Sequence, residues 1–228
     1  MSNVPLCDFA GPSYFLFSEN IPPLVYYSHL PITLIAFVIG LLVFLKDRKR
    51  LANRILFALT SAFSVWVFLD SVFWATNRSD IIMFVWSLQI LFEPLVHLST
   101  LYLVKVLVTH KDVSFRQKLL AIGLYLPLVF LVPTTYSLKS FNLSTCLSEE
   151  HLFSYYSYLI EAIYTFWMIG FAIRSYFKSV DRIIKREIFY LTLGSFLLLV
   201  GFSWGAIVGS FTEDWNIAQL GLIGMPIF

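Results

Sequence analysis

The chain has 228 residues, of which 58% are hydrophobic and 18% aromatic, and its mean hydropathy is +0.78. Charged residues make up only 13%, about half the share of ordinary soluble domains, so the composition excludes a soluble globular protein. A net charge of +2 gives no reason to expect a nucleic-acid partner, and the expected surroundings are a lipid bilayer.

Long apolar segments follow one another along the whole chain. A helix that crosses a hydrocarbon core about 30 Å thick needs about 20 residues, because each residue rises about 1.5 Å. The alternating pattern of a transmembrane barrel is absent. The sequence therefore predicts an all-α, polytopic transmembrane bundle of seven helices, near 24–45, 55–76, 82–108, 118–136, 152–177, 187–211 and 216–228. Residues 1–23 are predicted to form an extracytoplasmic segment, and residues 24–228 one seven-helix domain.

The seventh segment, "NIAQLGLIGMPIF", is unusually short. It spans only about 20 Å, so a carboxylate at Phe228 would lie in hydrocarbon, where an unpaired charge is costly. We therefore expect a truncated seventh helix: either the reading frame was cut, or this is the membrane part of a longer chain that continues into the cytoplasm. A natural end with an interfacial last segment is the alternative.

Fourteen of the sixteen Lys and Arg residues fall near the connections after the first, third and fifth predicted helices. Because cytoplasmic loops are enriched in basic residues, we expect these connections to be cytoplasmic and the N-terminus to lie outside. Both cysteines, Cys7 and Cys146, then lie outside as well. A disulfide between them and two unpaired thiols are equally open, since the sequence does not show whether their Cα atoms approach.

Ionisable side chains within the predicted spans are the strongest functional signal. Four of them are taken to lie at membrane depth, on three helices: Asp70, Glu93, His97 and Glu161. Such residues normally face the bundle interior, because a charge in the bilayer costs at least about 2.5 kcal/mol. Counted from the predicted outer ends, they occupy the outer half to the middle of the membrane. They predict an outward-facing pocket that binds a small polar ligand or senses protonation. The alternative is that neighbouring helices satisfy each group and only packing specificity is gained.

Local spacing suggests partners for these groups. Glu93 and His97 are four residues apart on one helix and can pair directly. Asp70 shares a helix face with Trp66 and Trp74, each four residues away. Glu93 with His97 supplies two metal ligands and nothing fixes a third, so neither a metal nor another cofactor is expected.

The stretch "GFSWG", residues 201–205, matches the Gly-x-Ser-x-Gly pattern of serine hydrolases. That motif requires a sharp strand-to-helix turn, whereas here it lies inside an apolar helix. Glycines recurring every four residues favour close helix packing instead. An intramembrane serine protease, the alternative, would need Ser203 paired with a histidine such as His97. The residues assigned to helix packing and architecture are Gly194, Gly201, Gly205, Gly209 and Pro94.

Four stretches together point to a known family. They are "WSLQILFEPLVHLSTLYLV" with its mid-helix Pro94, "LPLVFLVPTT", "KREIFYLTLGSFLLLVGF" and "LGLIGMPIF". Residues 24–228 resemble the seven-helix membrane region at the N-terminus of many bacterial sensor histidine kinases. The resemblance implies a sensory input module in the bacterial inner membrane, part of a two-component system. It would pass a stimulus through the seventh helix to a cytoplasmic kinase or other output domain in the same or a longer chain. The resemblance is also compatible with a homodimer of this chain.

No kinase residues are present in the chain, so we do not expect it to be an enzyme by itself. The main alternative function is a small proton- or cation-coupled transporter or channel subunit, with Asp70, Glu93 and Glu161 on the path. That class should carry polar residues onward to the cytoplasmic side, where these helices are nearly uniformly apolar.

Overall fold

Helices make up most of the chain in a computed structural model. The structure describes residues 13–14, 16–18, 21, 23–132, 134–142, 147–150 and 153–212. Within them lie six helices: α1 (Pro23–Lys46), α2 (Leu51–Ala75), α3 (Ser79–Thr109), α4 (Phe115–Leu131), α5 (Ser154–Lys178) and α6 (Arg182–Thr212). All except α4 contain a stretch long and apolar enough to cross a membrane. The predicted all-α membrane bundle is thus confirmed at the level of a multi-helix, multi-span fold.

The first six predicted helices all appear, with bounds close to those expected from hydropathy. The fourth differs most, because α4 ends at Leu131 where the sequence predicts helix to 136. Pro133 has no amide hydrogen to continue the helical hydrogen-bond ladder. With 17 residues, α4 is about 25 Å long. The predicted seventh helix lies outside the described residues, as do Cys7 and Cys146.

Two short antiparallel hairpins cover one end of the bundle. They pair β1 (Ser13–Tyr14) with β2 (Phe17–Ser18), and β3 (Leu138–Asn142) with β4 (Leu147–Glu150). Leu16 from the first and Phe141 from the second pack on an apolar cluster where α2 turns into α3: Val72, Phe73, Ile82 and Val85. We call this end of the bundle the capped end.

Helices α3 and α5 run in the same direction, away from the capped end. At the start of α5, the Ser154 hydroxyl donates to the Ser137 carbonyl oxygen at 2.6 Å. Near the other end of α3, the Lys105 ammonium lies 4.3 Å from the ring centroid of Trp167 and 5.4 Å from that of Phe171, both on α5. The chain must therefore return to the capped end through α4. This helix runs back along the bundle although it has only 17 residues.

Polar and apolar side chains are distributed as expected for a protein in lipid. Large apolar side chains point outward, among them Leu34 of α1, 64% exposed, and Phe166 of α5, 72% exposed. Several polar side chains are buried between helices. One example of how they find partners there is the Tyr164 hydroxyl of α5, which donates to the Ala121 carbonyl oxygen of α4 at 2.7 Å. This distribution fits a surface that meets hydrocarbon, where a polar group must find its partner inside the bundle.

Helices α1 and α2 approach each other closely at Gly40. A Cβ atom built at Gly40 would overlap the Thr60 hydroxyl oxygen and lie 2.9 Å from Thr60 Cβ. Thr60 is β-branched and stiff, so it gives way only at a cost. Gly40→Leu is expected to lower the free energy of unfolding by about 1–3 kcal/mol, measured by equilibrium unfolding in mixed micelles.

Gly170, in the middle of α5, is the matched control because a Cβ there meets nothing within 4 Å. Gly170→Leu should leave the stability unchanged or raise it slightly, since leucine is the better helix former. Equal destabilisation by the two substitutions would contradict close α1–α2 packing at Gly40.

Candidate functional site

Four buried polar residues meet where α3, α5 and α6 pack together. Glu93 and His97 come from α3, Glu161 from α5 and Ser203 from α6, and their exposed fractions are 5%, 2%, 3% and 9%. We call these four residues the central cluster. Three of them belong to the four ionisable residues that the sequence singled out. The cluster thus joins groups separated by more than 100 residues in the chain.

Helical spacing explains how each side chain reaches this point. Glu93 and His97 are four residues apart, so both project from the same face of α3. Pro94 sits between them within α3, which continues to Thr109. Glu161 lies on the buried stripe of α5 with Ile160 and Tyr164, both fully buried. A stripe of this kind carries its polar member into the core together with its apolar neighbours.

Both ring nitrogens of His97 are engaged. Nδ1 lies 3.1 Å from the main-chain oxygen of Glu93, and Nε2 lies 3.1 Å from the Ser203 hydroxyl oxygen. The contact between Glu93 and His97 therefore runs through the main chain. A carbonyl oxygen only accepts hydrogen bonds, so Nδ1 carries a proton.

Ser203 connects the imidazole to a carboxyl group. Its hydroxyl is hydrogen-bonded to Glu161 as well as to His97, and the carboxyl groups of Glu161 and Glu93 are close enough to repel one another when charged. The Glu161 Oε1 atom is buried and has no hydrogen-bond partner among the described residues. A buried carboxylate oxygen in that situation is costly, which favours the neutral form of the cluster.

The single hydroxyl proton of Ser203 allows two arrangements. If neutral His97 accepts at Nε2, Ser203 donates to it, and Glu161 must be protonated to donate to Ser203. If His97 is doubly protonated, Nε2 donates to Ser203, and Ser203 donates to ionised Glu161. The two differ by one proton moved from Glu161 to Ser203 and one from Ser203 to His97. The cluster can therefore hold a proton in either of two places with small heavy-atom movement.

The same contact bears on the serine hydrolase alternative. The pairing of Ser203 with His97 that a nucleophile would need is present. The strand-to-helix turn is not, because residues 201–205 lie within the continuous helix α6. In addition, His97 is oriented by a main-chain oxygen rather than by a carboxylate. The geometry thus supplies a hydrogen-bonded pair without the exposed elbow that activates a hydrolase serine.

The glycines of α6 do not face this cluster. Two residues along a helix turn it by about 200°, so Gly201 and Gly205 lie on the face opposite to Ser203. Gly194 and Gly205 are half-buried, as is Gly201, and Gly209 lies near the end of α6. One face of α6 therefore contacts α3 and α5 through Ser203, and Gly201 and Gly205 lie on the opposite face.

Asp70 belongs to a second group of polar residues, nearer the capped end. Its carboxylate accepts from Gln89 Nε2 at 2.9 Å and from Trp74 Nε1 at 3.1 Å, and lies 2.6 Å from His29 Nε2. The other His29 nitrogen donates to the Val25 main-chain oxygen at 2.9 Å. We call Asp70, His29, Trp74 and Gln89 the upper cluster; it ties α1, α2 and α3 together.

Sequence reasoning found only part of the upper cluster. The spacing that placed Trp74 beside Asp70 is confirmed, whereas the Trp66 indole packs edge-on against Phe202 with ring centroids 4.6 Å apart. His29, 1% exposed, was missed because it sits among aromatic residues that suggest a membrane-interface belt. The sequence did offer a signal for His29, because this ionisable residue lies inside the predicted helix 24–45.

No three His, Cys, Asp or Glu side chains converge as metal ligands would within the part of the chain that the structure describes. Hydrogen bonds between side chains connect the residues of both clusters. In the central cluster, imidazole, hydroxyl and carboxyl groups form one connected path across three helices. In the upper cluster, every polar atom named above has a fixed partner.

The upper cluster predicts a large loss of stability when its carboxylate is removed. Asp70→Asn should lower the free energy of unfolding by roughly 2–4 kcal/mol, because Asp70 is hydrogen-bonded at both carboxyl oxygens and asparagine has only one acceptor oxygen, so its NH2 group would face a donor of the cluster. Asp80, which pairs with Arg78 at 2.7 Å on the surface, is the control, and Asp80→Asn should change little. Equilibrium unfolding in mixed micelles measures both. Similar losses would contradict a structural role specific to the upper cluster.

Comparison with known proteins adds no relative to this description. No family model matches the chain, and no curated protein or solved structure matches it either. The resemblance to the membrane region of sensor histidine kinases therefore stays a sequence-based prediction. The function proposed below therefore rests on the geometry of the two clusters.

Proposed function

We propose that the chain is a membrane-embedded sensory input module of a bacterial signal-transduction receptor of the histidine-kinase type. Its sensing element is the central cluster, and its output is a change in how α6 packs on α3 and α5. The observation that carries this proposal is the hydrogen-bonded path from His97 through Ser203 to Glu161. That path couples the protonation of buried groups to contacts between helices far apart in sequence.

The mechanism follows from the two proton arrangements. Moving protons toward His97 creates an imidazolium and a carboxylate, both buried, where the neutral form has no charge. Glu93 on α3 lies near enough to respond electrostatically, and α2 packs the rings of Phe63 and Trp66 against Phe202 of α6, next to Ser203. The two arrangements hold the same number of protons, so pH acts on the cluster only when it gains or loses one, for example at the Glu93 carboxyl group beside Glu161. Such a change in charge, or a polar ligand that favours one arrangement, would favour one packing of α6.

Helix α6 is suited to transmit such a change. Ser203 lies on its face toward α3 and α5, and Gly201 and Gly205 lie on the opposite face, which small residues leave open to close approach. We propose that the predicted seventh helix packs there and leads to a cytoplasmic output domain. The N-terminus would then lie outside the inner membrane, in accord with the basic connections after α1, α3 and α5.

The proton itself is the first stimulus to test. In a chimera that joins the chain to a histidine kinase output domain, reporter expression should change between about pH 5 and about pH 8 outside the cell. Ser203→Ala should abolish that change, because it removes the link between His97 and Glu161. Ser71→Ala is the matched control, since this buried hydroxyl donates to the Val67 oxygen of its own helix at 3.1 Å. An unaltered pH response in Ser203→Ala would contradict the proposed sensing element.

A transporter or channel subunit is the second candidate, favoured by two acidic side chains that interact within the membrane span. Reconstituted in liposomes with an internal pH dye, the chain should give no proton flux above that of empty liposomes if it is a sensor. Flux that Glu161→Gln abolishes would instead establish transport. Labelling of Ser203 by a fluorophosphonate, lost in His97→Ala, would revive the hydrolase alternative.

A further inference from the structure

A surface cavity lies between the end of α5 and the start of α6, away from both polar clusters. Its volume is about 370 Å³, and its walls combine aromatic and basic side chains: Tyr176, Arg182, Lys185, Arg186, Phe189 and Tyr190. Small-ligand sites range from about 300 to about 1,000 Å³, so this cavity suits a compact group.

The position of the cavity in the membrane follows from its two helices. Both α5 and α6 contain a candidate membrane span, and only residues 179–181 connect them. The connection must therefore lie at a membrane surface, whichever side that is. Large apolar side chains around it are exposed, Phe177 by 76%, Val180 by 94% and Ile183 by 68%. Such side chains favour the boundary between headgroups and hydrocarbon.

The charge around the cavity is strongly positive. Between residues 174 and 187 there are five basic and two acidic side chains. Of the acidic ones, Asp181 accepts from the main-chain amide of Ile183 at 2.8 Å, at the start of α6, and Glu187 is exposed. No ion pair within the described residues involves Arg182, Lys185 or Arg186. These cations are available to an external anion.

Aromatic rings hold two of these cations beside the cavity. The Lys185 ammonium lies 5.4 Å from the ring centroid of Tyr176, and the Arg186 guanidinium lies 5.4 Å from that of Tyr190. Cation–aromatic contacts at this distance are attractive and restrict the long side chains. The hydrogen-bond donors of the cavity are therefore already positioned. Binding a ligand there costs less side-chain entropy than it would with freely moving lysines and arginines.

We propose that this cavity binds the phosphate headgroup of an anionic phospholipid. Arginine and lysine donate to the phosphate oxygens, and the acyl chains lie against the exposed rings of Phe189 and Tyr190, which face outward along α6. A headgroup attached to hydrocarbon fits a cavity whose walls combine basic and aromatic side chains and whose surroundings expose apolar ones. The inference is independent of the proposed sensory function.

Lipid binding to the purified chain in detergent tests the proposal, with native mass spectrometry as the readout. Phosphatidylglycerol should bind at least about ten times more tightly than phosphatidylcholine, whose headgroup has no net charge. Replacing Arg182, Lys185 and Arg186 together with glutamine should weaken phosphatidylglycerol binding by at least about tenfold. Thermal unfolding of the variant without lipid checks that the fold is retained.

The connection between α1 and α2 offers a control with equal loss of charge. Arg48, Lys49 and Arg50 are exposed there, and their replacement by glutamine should leave phosphatidylglycerol binding within about twofold. Equal weakening in both triple variants, or no preference for phosphatidylglycerol over phosphatidylcholine, would overturn the proposal. Glycerol phosphate binding as tightly as the lipid would also overturn it, by identifying a free phosphate as the ligand.

A charge-neutral variant separates positioning from net charge. Tyr176→Leu keeps every cation but removes the ring beside Lys185, so phosphatidylglycerol should bind a few times more weakly. Unchanged binding in Tyr176→Leu together with a loss in the triple variant would reduce the site to a general attraction between charges. Such a result would overturn a built headgroup site.

Discussion

Hydrocarbon provides no hydrogen-bond partner, so every polar side chain within a membrane span depends on the protein for one. In this bundle that constraint decides which helices must touch. The Ser203 hydroxyl on α6 lies 3.1 Å from His97 on α3, and the Asp70 carboxylate on α2 lies 2.6 Å from His29 on α1. These contacts fix the relative rotation of helices whose apolar surfaces alone would pack in several ways.

Helix α3 is central because it takes part in both clusters. Gln89 joins the upper cluster, and Glu93 and His97 join the central cluster one and two turns further along. In the upper cluster the Asp70 carboxyl group has three nitrogen partners, from α1, α2 and α3, shared between its two oxygens. The central cluster has two acids, one imidazole and one hydroxyl, and its buried Glu161 Oε1 atom has no hydrogen-bond partner within the part of the chain that the structure describes. Similar residue types thus give one cluster suited to structure and another suited to a change of state.

This contrast explains why we place sensing in the central cluster and the stabilising role in the upper one. A group whose hydrogen bonds are all satisfied in one arrangement resists change, whereas a row of hydrogen-bonded groups that allows two proton arrangements responds to a bias toward one of them. The exposed basic cavity between α5 and α6 adds a third kind of polar site, at the membrane surface. There, water and lipid headgroups can satisfy charges that the bundle interior could not.

The sequence by itself determined the membrane class, the approximate bounds of six helices and the residues worth examining. Apolar length and the need to satisfy main-chain hydrogen bonds locally are enough for this, because both act within one segment. Glu93, His97 and Glu161 were also recognisable from the sequence, because ionisable groups are costly within apolar segments of this length. The spacing of Asp70 and Trp74 was also informative, since four residues bring side chains together on any helix.

Only the tertiary structure decided the partners. His29 meets Asp70 across 41 residues of sequence, and Ser203 meets His97 across 106. Helical periodicity relates residues one turn apart and carries no information on which face of one helix meets which face of another. The Gly-x-Ser-x-Gly stretch illustrates this limit: its pattern suggested either a nucleophile or a packing face. Its position in the folded bundle assigned the serine to a buried hydrogen bond and the glycines to the opposite face, because helix rotation separates residues two apart by about 200°.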